Sequence, residues 1–250
     1  MKVLITRPRA QADDFADKLR AAGFEPIFFP VIEIRPVEDN TALVRAIGHL
    51  EKYAWVVFTS VNAVNAIFPL TPTPLPLGEG QGVRVSAIGP KTAEALRQRG
   101  IEPDFVPEEY VAEAILPGLG DVRGKWILLP RAEIARADLP EAIAKAGGIP
   151  HEIVVYRTLP ANVDMEGLNA LKSGVDVITF TSASTIENFV ALCKQHGLDP
   201  LNLPNHPFIA CIGPITAQAA REAGFENVVV AKEYTTDGLV SLLVASQIVK

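Results

Sequence analysis

The stretch VRVSAIGPKTAEALRQRGIEPDFVPEEY, residues 83–110, returns as FIACIGPITAQAAREAGFENVVVAKEY, residues 208–234. Each copy opens with a short apolar run, residues 83–88 and 208–212, of the length and composition of a buried strand. A Gly-Pro pair follows, Gly89-Pro90 and Gly213-Pro214, and proline suits the first position of a helix, where its missing N–H costs nothing. Gly100 and Gly224 supply the helix stop, and a second apolar run lies beyond each. Strand, helix and strand in this order are the signature of parallel α/β structure.

Two further blocks recur around this one. Residues 2–36, KVLITRPRAQADDFADKLRAAGFEPIFFPVIEIRP, return at 125–160 as KWILLPRAEIARADLPEAIAKAGGIPHEIVVYRTLP, and WVVFTSVNAVNAI at 55–67 returns at 177–189 as VITFTSASTIENF. Lys2 reaches Lys125 at an offset of 123, Ser60 reaches Ser182 at 122, and Gly89, Gly100 and Tyr110 reach Gly213, Gly224 and Tyr234 at 124. Generic α/β elements could explain any one block, but not three in order at one spacing, so the chain is read as a duplication. Ten strands are predicted, near 2–6, 26–30, 54–59, 83–88, 104–107, 126–130, 149–153, 176–181, 207–212 and 227–231, which suits two five-stranded sheets.

The first block ends in FFPVIEIRPV, residues 28–37, and its copy in HEIVVYRTLP, residues 151–160, both longer than one strand needs. Their tails alternate apolar and polar residues, as exposed connecting strands do. Two partitions remain open: a sequential split near residue 122, or a crossed one in which each tail carries the chain to the other domain.

With 250 residues, 48% of them hydrophobic, the chain can bury one large core or two small ones. Its formal net charge of −6 argues against a nucleic-acid or anionic-membrane surface, so an anionic ligand must meet a locally favourable site. The apolar run at residues 3–5 is too short for a signal-peptide core and reads as a strand. Residues 53–78 carry no charge, but Thr59, Ser60, Asn62, Asn65 and four prolines interrupt them, so a strand, a turn and a helix explain them better than a membrane span. Cys193 and Cys211 have no metal or redox spacing and read as reduced core residues. The four histidines, His49, His151, His196 and His206, share no metal or triad spacing, and neither a Gly-x-Gly-x-x-Gly turn nor a Walker loop is present.

The ordered set Ile5-Thr6-Arg7-Pro8, Phe58-Thr59-Ser60, Ile88-Gly89-Pro90-x-Thr92, Val155-Tyr156-Arg157-Thr158, Phe180-Thr181-Ser182 and Ile212-Gly213-Pro214-x-Thr216 resembles the uroporphyrinogen-III synthase family over nearly the whole chain. The resemblance implies the crossed partition. Two flavodoxin-like domains are expected, residues 1–30 plus 161–250 and residues 38–150, each a five-stranded parallel sheet flanked by helices. Residues 31–37 and 151–160 would join them as a two-stranded antiparallel ladder, with the active site in the cleft between the domains. It also implies hydroxymethylbilane as substrate, no metal or organic cofactor, a monomer, and a cytoplasmic enzyme of haem and sirohaem biosynthesis that binds neither nucleic acid nor membrane. The sequence departs from the family at residues 69–82, PLTPTPLPLGEGQG, where a short connection is usual; this composition is expected to form a surface loop.

Hydroxymethylbilane carries eight carboxylates. Strand-to-helix turns offer unpaired N–H groups and a favourable dipole, so Ser60, Gly89-Pro90, Ser182 and Gly213-Pro214 are candidate anion contacts. Ser60, Thr92, Ser182 and Thr216 are read as substrate-binding, with Arg7 and Arg131 adding charge and Arg9 and Lys91 nearby. The simpler alternative for each hydroxyl is a plain helix cap, and for Thr59 and Thr181 that structural role is preferred. The resemblance places Tyr156 in the linker as the catalytic donor to the departing hydroxyl, against the simpler reading of a tyrosine that packs a strand. The alternative function is a two-lobed cytoplasmic small-molecule binding or sensor protein.

Overall fold

The computed structural model describes residues 1–68, 82–109 and 114–245. In chain order the strands are β1 (Lys2–Ile5), β2 (Glu25–Phe28), β3 (Ile32–Pro36), β4 (Tyr53–Phe58), β5 (Arg84–Ala87), β6 (Trp126–Ala132), β7 (Ile149–Pro160), β8 (Val177–Phe180), β9 (Phe208–Cys211) and β10 (Val228–Val230). The α-helices are α1 (Asp13–Ala21), α2 (Thr41–Ile47), α3 (Val61–Ile67), α4 (Pro90–Arg97), α5 (Ile115–Leu119), α6 (Asp138–Lys145), α7 (Met165–Ser173), α8 (Ala183–Gln195), α9 (Pro214–Glu222) and α10 (Thr236–Ala245). The expected surface loop at 69–82 and Tyr110 fall, apart from Gly82, outside the described residues.

The chain divides into two compact units, Met1–Glu33 with Leu159–Lys250, and Ile34–Thr158. The first holds a sheet in the order β2-β1-β8-β9-β10, and every pairing in it is parallel. Both of its faces are covered, which is why its strands read as unbroken apolar runs rather than alternating ones. Val3, Ile5, Val177 and Ala210 pack with α1 and α10 through Phe15, Leu19, Leu239 and Leu243. Leu4, Ile178 and Ile209, one residue out of phase, pack on the opposite face with α7, α8 and α9. Close approach there is specific: a Cβ on Gly167 in α7 would lie 2.3 Å from the carbonyl oxygen of Phe28, so only glycine lets the helix rest on β2.

The second unit repeats this plan. Its sheet runs β3-β7-β6-β4-β5, with β7, β6, β4 and β5 mutually parallel. Val56, Phe58, Val85 and Leu128 face α2, α3 and α4, whereas Trp55, Val57, Ile127 and Leu129 face α5 and α6. The neighbour order of the duplicated strands is the same in the two units: β2-β1-β8-β9 in one, β7-β6-β4-β5 in the other. Each unit therefore combines the first block of one copy with the second and third blocks of the other.

Two expectations are corrected. The strand predicted at 104–107 is reduced to a single parallel bridge between Phe105 and Ser86, because Pro103 and Pro107 bracket it and neither can donate to a ladder. The fifth named strand of that sheet is instead β3. The second sheet is also not five parallel strands: the tails pair with one another as expected, and β7 is one continuous strand of 12 residues, with β6 on one side and β3 on the other. Ala161 N–H donates to Val31 O at 3.0 Å and Val37 N–H to Val155 O at 3.1 Å, so the β3–β7 pairing is antiparallel and the second sheet is mixed.

Strand β1 lies between β2 and β8, far apart in sequence, and its pairing with β8 is reinforced by side chains. Thr6 Oγ1 donates to Thr179 O at 2.6 Å and Thr179 Oγ1 donates to Leu4 O at 2.8 Å, both residues fully or almost fully buried. Lys2 N–H donates to Asp176 Oδ2 at 2.6 Å at the other end of the pair. Thr6→Val and Thr179→Val keep the side-chain shape and remove one donor each, so each is expected to cost about 1–2 kcal/mol in urea unfolding with an unchanged m value. A loss near zero in both would show that the hydroxyls do not hold β1 in place.

Candidate active site

In both units the chain leaves the carboxyl ends of the parallel strands through turns that start helices. Ser60, following β4, is the N-cap of α3: its Oγ accepts the Ala63 N–H at 3.1 Å. Ser182, following β8, is the N-cap of α8: its Oγ accepts the Thr185 N–H at 3.3 Å, and the Thr185 hydroxyl accepts the Ser182 N–H in return. Gly89 and Gly213 occupy the same place before Pro90 and Pro214. All four caps have extended backbone, as an N-cap requires, so the duplication is visible at the level of single residues.

The structure brings together two of the residues singled out in the sequence. Ser60 Oγ and Tyr156 Oη lie 3.1 Å apart, both within the second unit. A bulge makes this contact. Arg131 pairs with Val154 but Ala132 pairs with Tyr156, so β7 carries one extra residue there. In a regular strand Val155 and Tyr156 would face opposite sides; here both join Ile153 in the core that α2, α3 and α4 cover. A bulge re-aims side chains in this way and is common beside active sites. The phenol ring is 8% exposed, so its body is fixed by packing while its hydroxyl meets the cap of α3. Sequence reading missed the bulge, although its signal was present: four consecutive apolar residues, 153–156, break the alternation of that strand.

The other candidates stand separately. Arg131 lies in β6 one residue before its end, is largely buried, and bonds to Glu152 and to the backbone oxygen of Arg136, so its charge is partly spent within the unit. Thr92 and Thr216 lie in the first turns of α4 and α9 with only 4% and 5% exposure. Arg7 follows β1 in the first unit. Its Nη2 donates to Gln11 Oε1 at 3.3 Å, while its Nε is buried without a hydrogen-bond partner among the described residues. Burial pushes this guanidinium below its ordinary pKa, and the charge of Asp14 partly offsets that. A desolvated arginine with a spare donor is suited to an incoming anion. Nearby, Arg9 lies over the ring of Phe28 at 3.4 Å and pairs with Asp13.

Among the described residues no group of three or more His, Cys, Asp or Glu side chains could hold a metal ion, and no helix is long and apolar enough to cross a membrane. Cys193 and Cys211 are free and buried.

A profile of the family described as uroporphyrinogen-III synthase HemD matches residues 13–241. The chain belongs to the uroporphyrinogen-III synthase family. It is 32% identical over 242 residues to the uroporphyrinogen-III synthase of Synechococcus elongatus, covering 95% of this chain and 92% of that one. A mutant uroporphyrinogen III synthase from Thermus thermophilus superposes with a TM-score of 0.63 at 25% identity, over 99% of each chain. The uroporphyrinogen-III synthetase of Helicobacter pylori has the same fold, with a TM-score of 0.65 at 19% identity over 98% of this chain and 99% of that one. In this member of the family the duplicated caps persist as Ser60 and Ser182, and among the described residues only Ser60 meets a phenol.

Burial pushes both cysteine thiols up to about 12, the charge of Arg221 acting weakly the other way on Cys211. At pH 8 the thiolate fraction is then on the order of one part in ten thousand, too small for a nucleophile. The native protein is expected to resist iodoacetamide at pH 8 and to take up two equivalents once unfolded in guanidinium. Rapid labelling of either cysteine in the native state would overturn this.

Proposed function

We propose that the chain converts hydroxymethylbilane to uroporphyrinogen III, closing the ring with loss of water and inversion of the last pyrrole. The family match across residues 13–241 carries this reading. The chemistry asks for little beyond control of conformation. A pyrrole nitrogen pushes out the terminal hydroxyl as water and leaves an electrophilic azafulvene. The substituted carbon of the last ring attacks it, and the spiro intermediate then fragments and recloses with that ring inverted. Uncontrolled closure gives the symmetrical isomer instead.

In this reading Tyr156 donates the proton that turns the departing hydroxyl into water. Its ring is held by the core, which supports a fixed direction for the hydroxyl. Arg7, with its unpartnered buried Nε, takes one substrate carboxylate. Ser182 and Arg131 serve others from the carboxyl ends of their sheets, and Thr92 and Thr216 act there through the first turns of α4 and α9. Each unit is read as a flavodoxin-like domain, residues 1–30 plus 161–250 and 38–150, which the strand order supports: numbered from β1 within its unit, the first sheet runs 2-1-3-4-5. A monomer working in the cytoplasm completes the reading.

Incubation with hydroxymethylbilane, oxidation and separation of the uroporphyrin isomers is expected to give the type III isomer faster than the blank. Type I alone at the spontaneous rate would favour a binding or sensor protein and overturn the enzyme. Tyr156→Phe keeps the ring and loses the donor, so turnover is expected to fall roughly tens- to thousands-fold with little change in melting temperature. What product forms should still be type III after correction for spontaneous closure, since inversion depends on how the substrate is folded. Undiminished turnover would leave Tyr156 a packing residue.

Arg7→Met replaces a desolvated charge by an apolar chain, which is neutral or stabilising for the fold. Loss of one charge-assisted hydrogen bond is expected to raise KM roughly 10- to 100-fold with a smaller change in kcat. An unchanged KM would remove Arg7 from the substrate.

A further inference from the structure

The two copies of the serine cap have diverged in what their hydroxyls touch. In the first unit Ser182 Oγ is engaged with Ser184 Oγ at 2.9 Å and with the Thr185 N–H, a local arrangement within the start of α8. In the second unit Ser60 Oγ accepts the Ala63 N–H at 3.1 Å and lies 3.1 Å from Tyr156 Oη. The position corresponding to Tyr156 in the first copy, aligned on Pro36 and Pro160, is Ile32, which has no hydroxyl to offer. Among the described residues one duplicated cap bonds only within the start of its own helix, and the other also meets a phenol placed by the bulge in β7.

We infer that Ser60 is a positioning residue that donates its hydroxyl hydrogen to Tyr156 Oη and so leaves the phenol's own proton free for the substrate. This inference rests on the reading of Tyr156 as the proton donor. It replaces direct substrate contact as the role of Ser60.

The hydrogen-bond inventory supports this direction. A serine hydroxyl has one donor and two acceptor sites. The Ala63 N–H can only donate, so it occupies an acceptor site on Oγ and leaves the hydroxyl hydrogen unspent. If Tyr156 instead donated to Ser60, its proton would point into the cap and away from any substrate. In the other direction a chain forms, from Ala63 N–H to Ser60 Oγ–H to Tyr156 Oη–H. Each bond polarises the next. When Tyr156 gives up its proton, the phenolate oxygen that remains keeps the Ser60 O–H as a hydrogen-bond donor. The proton passes to the departing hydroxyl, which leaves as water with its bonding pair, and the phenolate recovers a proton from solvent or from the closing ring.

The test uses Ser60→Gly and Ser60→Thr, each in the wild-type and the Tyr156→Phe chain, with kcat, KM and melting temperature measured for all. Glycine is tolerated at an N-cap within a few tenths of a kcal/mol, so Ser60→Gly removes the hydroxyl without undoing α3. Threonine restores a hydroxyl. Expected is a fall in kcat of roughly tenfold or more for Ser60→Gly, with KM within about threefold and most of the rate recovered in Ser60→Thr. In the Tyr156→Phe chain the same Ser60→Gly change should cost less than about twofold, because its target is gone. Ser182→Gly, the duplicated cap, should instead multiply independently with Tyr156→Phe.

A rise in KM with kcat intact would make Ser60 a substrate contact and overturn the inference. So would an undiminished effect of Ser60→Gly in the Tyr156→Phe chain. If Tyr156→Phe alone leaves kcat unchanged, the reading of Tyr156 as donor fails, and the inference fails with it by a result distinct from the other two.

Discussion

The placement of β1 between β2 and β8 is the constraint on which the first unit depends. The strand has only four residues, and its two neighbours lie about 20 and about 175 positions away along the chain. Few backbone hydrogen bonds are available to a strand that short, so the reciprocal bonds of Thr6 and Thr179 add to a pairing that the rest of the sheet is built around. With β1 central, α1 covers one face and α7, α8 and α9 the other, and both cores close. Every residue assigned to chemistry in that unit, Arg7, Ser182 and Thr216, follows a strand of this sheet and is placed by it.

Burying both faces of a parallel sheet leaves its ends as the place where backbone polar groups meet solvent. An acidic protein can therefore offer anion contacts without a basic surface, through helix starts at the carboxyl ends and a few buried cations. Arg7 illustrates the cost of this arrangement: it is desolvated and under-bonded within its own unit, a state that stability alone does not favour. Arg131 sits at a comparable strand end but satisfies itself with Glu152, so two arginines that look alike in the repeated blocks differ in what they have left to give.

The stretch around the bulge at residues 154–156 shows how one residue type can separate two copies of a repeat. In the first copy, Ile32 belongs to the apolar core of its unit. In the second, Tyr156 takes the matching place beside Val155 and sets its hydroxyl on Ser60. Duplication supplied two equivalent helix caps; isoleucine at one matching position and tyrosine at the other make them unequal. The antiparallel pairing expected for the tails persists through the bulge, and β7 pairs with β6 on its other side.

Much of this was legible in the residues because it follows from local chemistry. The offsets of 122 to 124 between blocks, the Gly-Pro helix starts and the apolar runs of doubly covered strands determined an α/β duplication, the strand ends where a site could form, and the family resemblance. The strand near 104–107 was misjudged because its apolar residues outweighed the prolines that stop it pairing. Candidate hydroxyls could be named but not ranked, since a cap and a ligand contact use the same residue types. Only the tertiary structure decided which segments share a sheet, that β3 joins the second one, and that Tyr156 meets Ser60 rather than Thr92. Those outcomes rest on long-range register, and a shift of one residue reverses every side chain of a strand while leaving its composition unchanged.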